Sequence, residues 1–102
     1  MDHRIGQETG GVLVELTNDA SLRLLPVTRN EVEAVIEMLR LARLLAGFRG
    51  APPADRGALV TTVLALARFF LDHRAKITDI EVNPLMVRAN GCVAVDVRVL
   101  WR

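Results

Sequence analysis

The sequence predicts a single α+β domain. It should be a small, mostly antiparallel sheet with helices packed on one face, in the order strand, strand, helix, helix, strand, strand. Three observations carry this. Apolar residues recur at helical spacing in two consecutive central stretches. Short runs rich in Val, Leu and Ile flank that centre on both sides. Asn90-Gly91, a strong hairpin signal, lies between the last two of those runs. With 102 residues, 51% of them apolar and 25% charged, the chain has the size and composition of one globular domain.

Residues 1–9 are polar and read either as a flexible leader or as the edge of a longer protein. The domain itself is expected over 10–102. Gly11 to Leu16 is an apolar strand, followed by a turn at Thr17-Asn18-Asp19, residue types that suit turns. Ser21 to Val27 reads as the second strand of a hairpin, with Pro26 placing it near a sheet edge. Thr28-Arg29-Asn30-Glu31 matches a capping box. Behind it Val32, Val35, Ile36 and Leu39 mark a helix that ends before Gly47, with Glu33, Glu37 and Arg40 as surface decoration. Phe48 to Pro53 is a loop, and a second helix runs from about Asp55 to His73. Ile80-Glu81-Val82-Asn83 alternates, Pro84 interrupts pairing, and Leu85-Met86-Val87 continues. After the turn, Val93, Val95, Val97 and Val99 alternate on one face.

Composition also excludes functions. Thirteen Lys+Arg against twelve Asp+Glu leave no basic excess to neutralise a phosphate backbone, so nucleic-acid binding by bulk electrostatics is out. Three Phe, one Trp and no Tyr make a base-stacking platform a poor fit. A single cysteine, Cys92, forms no intramolecular disulfide and no multi-cysteine zinc site; it reads as a small packed residue. No stretch has the roughly 20 apolar residues of a spanning helix. These features suit a cytoplasmic protein.

The chemistry concentrates in the last hairpin. A two-residue turn at Asn90-Gly91 would set Leu85 opposite Asp96 and Asn83 opposite Arg98. Asp79, Glu81 and Asn83 then share a face with Asp96 and Arg98, while Val82, Val95 and Val97 point toward the helices. Asn83 and Asp96 become diagonal neighbours, roughly 7–8 Å apart. An amide and a carboxylate oxygen are hard donors, suited to Mg²⁺, which commonly takes one or two protein ligands and fills its shell with water and phosphate oxygens. The same alternation also describes an ordinary solvated strand face.

Glu81-Val82-Asn83-Pro84-Leu85, followed by Val93-Ala94-Val95-Asp96-Val97-Arg98-Val99, resembles the closing hairpin of the ATP-grasp domain in ADP-forming acyl-CoA synthetases. Succinyl-CoA synthetase β subunits carry a similar hairpin. The resemblance continues in Gly10-Gly11-Val12-Leu13-Val14-Glu15-Leu16 with Asp19, Arg23-Leu24 and Pro26, and in Leu44-Leu45, Gly47, Arg49-Gly50 and Pro52-Pro53. It covers about residues 10 to 100 and implies the second of the two subdomains that grip ATP, half of an ATP-grasp fold.

The resemblance implies that Asn83 and Asp96 hold Mg²⁺ on ATP or ADP, and that Glu81 faces the phosphoryl-transfer site and settles a transient phosphohistidine. Glu15 would lie near the nucleotide cleft, with a polar strand face as the equal reading. Arg49 would orient a phosphate or acid, or cap a helix end. His3 and His73 do not fall where the phosphorylated histidine is expected. The reaction implied exchanges acyl-CoA, ADP and phosphate for acid, CoA and ATP. The lysine-bearing first half of the clamp and a CoA-binding domain are missing here, Lys76 being the sole lysine. The remaining ATP-grasp half and the CoA-binding domain or subunit are thus the expected partners, and the 102-residue chain should not turn over alone. The alternative is a non-catalytic interaction or regulatory module of the same ancestry, one that self-associates into a homo-oligomer.

Overall fold

The structure is a computed structural model that describes residues 5–8, 11–19, 28–38, 41–47 and 52–102. In chain order the elements are β1 (Ile5–Glu8), β2 (Gly11–Asp19), α1 (Arg29–Met38), α2 (Leu41–Leu45), α3 (Arg56–His73), β3 (Ile77–Val87), β4 (Cys92–Ala94) and β5 (Val97–Trp101). Among the described residues every strand pairing is antiparallel; β1 pairs β2, β2 pairs β3, and β4 and β5 follow one another along the far side of β3. Among the described residues no helix is long and apolar enough to cross a membrane.

The main core lies between the sheet and the helices. Val12, Val14 and Leu16 of β2 and Val82, Leu85 and Val87 of β3 meet Val32, Ile36, Leu41, Leu45, Leu59, Val60 and Val63 from the helices. A smaller cluster of Phe70, Ile77 and Ile80 closes the end where α3 runs into β3. This is the α+β layering that the apolar periodicities predict.

The helix starts follow local chemistry. Glu31 N–H donates to Thr28 Oγ1 at 3.2 Å, and Thr28 N–H donates back to Glu31 Oε1 at 3.1 Å, which completes the capping box. Asp55 caps α3 through Oδ1, which accepts from Ala58 N–H at 3.0 Å. Glu33 and Glu37, expected as surface decoration, both bind Arg56 Nη2, at 2.9 and 3.0 Å, and so tie α1 to the start of α3. These groups remain partly exposed, so the ties contribute less than about 1 kcal/mol each.

Several expected elements differ. The opening residues read as a leader contribute β1, whose Ile5 pairs with Val14. The turn expected at Thr17-Asn18-Asp19 is instead strand: these residues pair with Glu81, Ile80 and Asp79. The β3 ladder supplies what local turn propensity opposes. The helix expected to run to Gly47 is described as α1 and α2, with residues 39 and 40 outside the described set. The strand Ser21–Val27 also lies outside the described residues.

The expected valine row does not share one face. Val93, Val95 and Val97 are 43%, 60% and 49% exposed, although Val95 and Val97 were expected under the helices. Val93 pairs with Met86, between core-facing Leu85 and Val87, and so points away from the helices, whereas Val97, opposite buried Val82, is on the helix side but lies beyond β3 at the side of the sheet farthest from β2. Val99 alone of the row packs against the Phe70 cluster.

Candidate functional site

The last hairpin turns later than its Asn-Gly pair suggests. Val87 pairs with Cys92, so the loop is Arg88-Ala89-Asn90-Gly91, closed by Arg88 N–H donating to the Gly91 carbonyl at 2.9 Å. Asp55 fixes this longer loop from 36 residues away. Its Oδ2 accepts from Gly91 N–H at 2.8 Å, and its own N–H donates to the Arg88 carbonyl at 2.6 Å. Sequence reasoning assigned Asp55 only to the helix start, because its second partner is non-local.

Asp55 therefore has a pH signature. The backbone N–H of Ala58, then that of Gly91, hold its carboxyl below the ordinary value. A depressed folded-state value means the contribution is complete above the unfolded carboxylate pKa, near 4, and is lost as pH falls through the folded value. Asp55→Asn cannot accept at both oxygens. The urea midpoint of the variant should lie below that of the native chain at pH 7, and the gap should narrow below about pH 4. A gap independent of pH would argue against the charged clamp.

The register slip moves each expected partner by two residues and keeps Glu81, Asn83, Asp96 and Arg98 on one face, since strand sidedness has period two. Leu85 pairs with Ala94 rather than Asp96, and Arg98 pairs with Glu81 rather than Asn83. With Val82 on Val97 and Leu85 on Ala94, Asn83 falls directly against Asp96, and its N–H donates to the Asp96 carbonyl at 3.0 Å. Directly opposed positions hold their Cβ atoms about 4.5–5.5 Å apart, closer than the diagonal that was expected.

Asp96 does not sit within a continuous strand, as expected, but in the break between β4 and β5. Pro84 opposite accounts for that break. It has no N–H to donate, although its carbonyl still accepts from Val95 N–H at 3.0 Å. On its other side, β3 carries one extra residue against β2 between Val82 and Leu85. Core-facing positions therefore change from Val82 to Leu85 across the Asn83-Pro84 step. The irregularity takes Asn83 and Asp96 out of the regular ladder and leaves both exposed.

Glu81, Asn83, Asp96 and Arg98 line one open pocket of about 320 Å³. Asn83 Nδ2 donates to Glu81 Oε1 at 3.3 Å, which leaves the amide oxygen as the donor atom for a cation. Among the described residues no three His, Cys, Asp or Glu side chains gather as a ready-made metal cage. The set is instead one carboxylate and one amide with a neighbouring carboxylate. It fits a hard cation that brings waters and phosphate oxygens with it, not a soft metal needing a closed shell. The larger depression, about 440 Å³, is lined by Leu64, Arg68, Leu71 and Asp72 on one face of α3 and has no such convergence of oxygen donors.

No other described candidate lines this pocket. Glu15 lies half-buried on β2 across from the Asn83-Pro84 step, and it is not one of the pocket's four lining residues. Arg49 and His3 lie outside the described residues. His73 ends α3, with Nδ1 2.9 Å from the Phe69 carbonyl and its ring stacked on Phe69 at 4.3 Å. Burial pushes the Cys92 thiol up, and its side chain packs against the main core. Arg98 was placed on the site face by the sequence but given no task.

The pocket thus lies on the last hairpin of an antiparallel sheet backed by helices. The chain is a member of the ATP-grasp domain family, which matches residues 5–100. It is 35% identical over 91 residues to acetate–CoA ligase (ADP-forming) I of Archaeoglobus fulgidus, covering 89% of this chain and 13% of that protein. It is 32% identical over 102 residues to the β subunit of acetate–CoA ligase (ADP-forming) II of Pyrococcus furiosus, covering 98% of this chain and 43% of that one. A solved structure of dinucleotide-forming acetyl-coenzyme A synthetase 1 from Ca. Korarchaeum cryptofilum, in complex with coenzyme A, Ca-AMPCP and HgCl⁺, matches with a TM-score of 0.72 at 25% identity. That match covers 96% of this chain and 47% of the other. The chain thus spans less than half the length of each of these three proteins.

Proposed function

We propose that this chain is the Mg-ATP-binding half of an ADP-forming acyl-CoA synthetase. It would contribute the metal and phosphate site for reversible phosphoryl transfer between ATP, phosphohistidine and acyl phosphate. The single observation that carries this is the pocket in which Asn83 lies directly against Asp96 with Glu81 beside them. Membership of the ATP-grasp family and the likeness to acetate–CoA ligases support the same reading.

In this reading Asn83, through its amide oxygen, and Asp96, through its carboxylate, would hold Mg²⁺. When bound, the ion supplies charge neutralisation on the polyphosphate and a fixed orientation for in-line transfer. Glu81 accepts from the Asn83 amide, keeps its oxygen aimed into the pocket, and borders the space where the phosphoryl group moves. The irregular Asn83-Pro84 step and the broken β4–β5 edge hold both oxygen donors outside the regular ladder. Phosphoryl transfer is mainly positioning and electrostatics, so a rigid two-donor hairpin is a substantial contribution. The adenine pocket, the phosphohistidine and the CoA site belong to the complementing ATP-grasp half and a CoA-binding domain or subunit, in a cytoplasmic assembly.

Calorimetric titration of this chain with Mg-ATP should give a dissociation constant no tighter than about 1 mM, because half of the clamp is elsewhere. Tight, stoichiometric binding would overturn the half-site reading. In the complementary experiment, the chain replaces the matching segment of the Pyrococcus furiosus β subunit. ADP-dependent ATP formation from acetyl-CoA and phosphate should survive in the assembled enzyme. A folded, assembled chimera without activity would count against a catalytic role and favour the interaction module.

A further inference from the structure

We propose that Arg98 is a phosphate-positioning residue of this site, taking a terminal phosphate oxygen of the metal-bound polyphosphate. The inference rests on the metal reading above and goes beyond it by giving the pocket a built-in cation. Arg98 is one of the four side chains lining the pocket, and it pairs directly with Glu81 across the β3–β5 ladder. Like the Asp96 side chain, its guanidinium makes no hydrogen bond or ion pair with any described residue. It is exposed on a strand whose backbone is held by pairings at Val97, Arg98 and Val99. An arginine in that position would ordinarily close onto the facing glutamate. Here Glu81 accepts from Asn83 instead. The pocket therefore combines two acids, an amide oxygen and an uncommitted planar donor on one face.

This combination suits one chemical class of ligand. A bare divalent cation is attracted by Glu81 and Asp96 and repelled by Arg98. A bare polyphosphate meets the opposite pattern. A metal–polyphosphate complex satisfies both, its cation on Asn83 and Asp96 and its outer oxygens on the guanidinium fork. Arg98 then discriminates between a free metal ion and a metal carried by phosphate.

The test uses the full chain, ¹⁵N-labelled, with Mn²⁺ alone and with Mn²⁺–tripolyphosphate, read as paramagnetic broadening at the Asn83 and Asp96 amides. In Arg98→Gln, apparent affinity for Mn²⁺–tripolyphosphate should fall about tenfold, while that for Mn²⁺ alone should hold or rise. Arg98→Lys keeps the charge without the fork and should fall between the two. It is also the variant to use should the glutamine variant not fold. Equal changes for both probes, or none, would show that Arg98 merely decorates or props the strand. Absence of broadening by Mn²⁺ alone in the native chain would instead remove the metal reading itself, and the Arg98 role with it.

Discussion

Asp96→Ala is expected to abolish ATP-dependent acyl-CoA formation in the assembled chimeric enzyme, by about 10²–10⁴-fold, while the domain stays folded. The size follows from removing the one charged donor of the proposed two-donor cation site, since charge neutralisation on the transferring phosphate would amount to several kcal/mol. The fold should tolerate the change for local reasons. Asp96 is exposed in the gap between β4 and β5, and its contact with β3 is through its backbone carbonyl, which alanine retains. Steady-state assay together with a thermal melt separates the two effects. Normal turnover by the variant would refute the metal role. A large loss of melting temperature would show that Asp96 is structural.

Gly11→Ala is expected to destabilise the domain by roughly 2–4 kcal/mol, the combined cost of backbone strain and overpacking. Gly11 starts β2 with φ at +149°, a region that side chains rarely adopt. A methyl group there would collide with the Val87 carbonyl oxygen and lie 3.2 Å from Arg88 Cα. Both obstacles are backbone at the end of β3, so no side-chain rotation relieves them. The same stretch leads into the loop that Asp55 clamps, so the damage should spread toward the hairpin. Urea unfolding of the variant measures this. A midpoint within error of the native chain would mean that β2 and β3 are not in this close register.

The parts of the fold legible in the sequence are those set by local chemistry. The Thr28–Glu31 box and the Asp55 start of α3 follow from residues three apart, and the two helices follow from their apolar spacing. The shared face of Glu81, Asn83, Asp96 and Arg98 was legible too, because a slip of two residues does not change sidedness. The register itself was not. Asn90-Gly91 is a good two-residue turn by composition, and Asp55 overrides it by holding Gly91 N–H from the other side of the sheet–helix boundary. Thr17 to Asp19 looked like a turn for the same local reasons and were drawn into the ladder by β3. Ile5 to Glu8 have no alternation to betray a strand; pairing with β2 supplies it. The valine row misled because the break between β4 and β5 puts Val93 on the face opposite that of Val97 and Val99, a change of side that alternation alone does not reveal.

The most direct measurement is titration of the ¹⁵N-labelled native chain with substoichiometric Mn²⁺, alongside Asp96→Asn. Broadening should begin at the amides of Glu81, Asn83, Asp96 and Arg98, spread outward with distance, be displaced by excess Mg²⁺, and weaken sharply in the variant. Broadening centred elsewhere, on the α3 depression for example, or unchanged in Asp96→Asn, would contradict a cation site on the last hairpin.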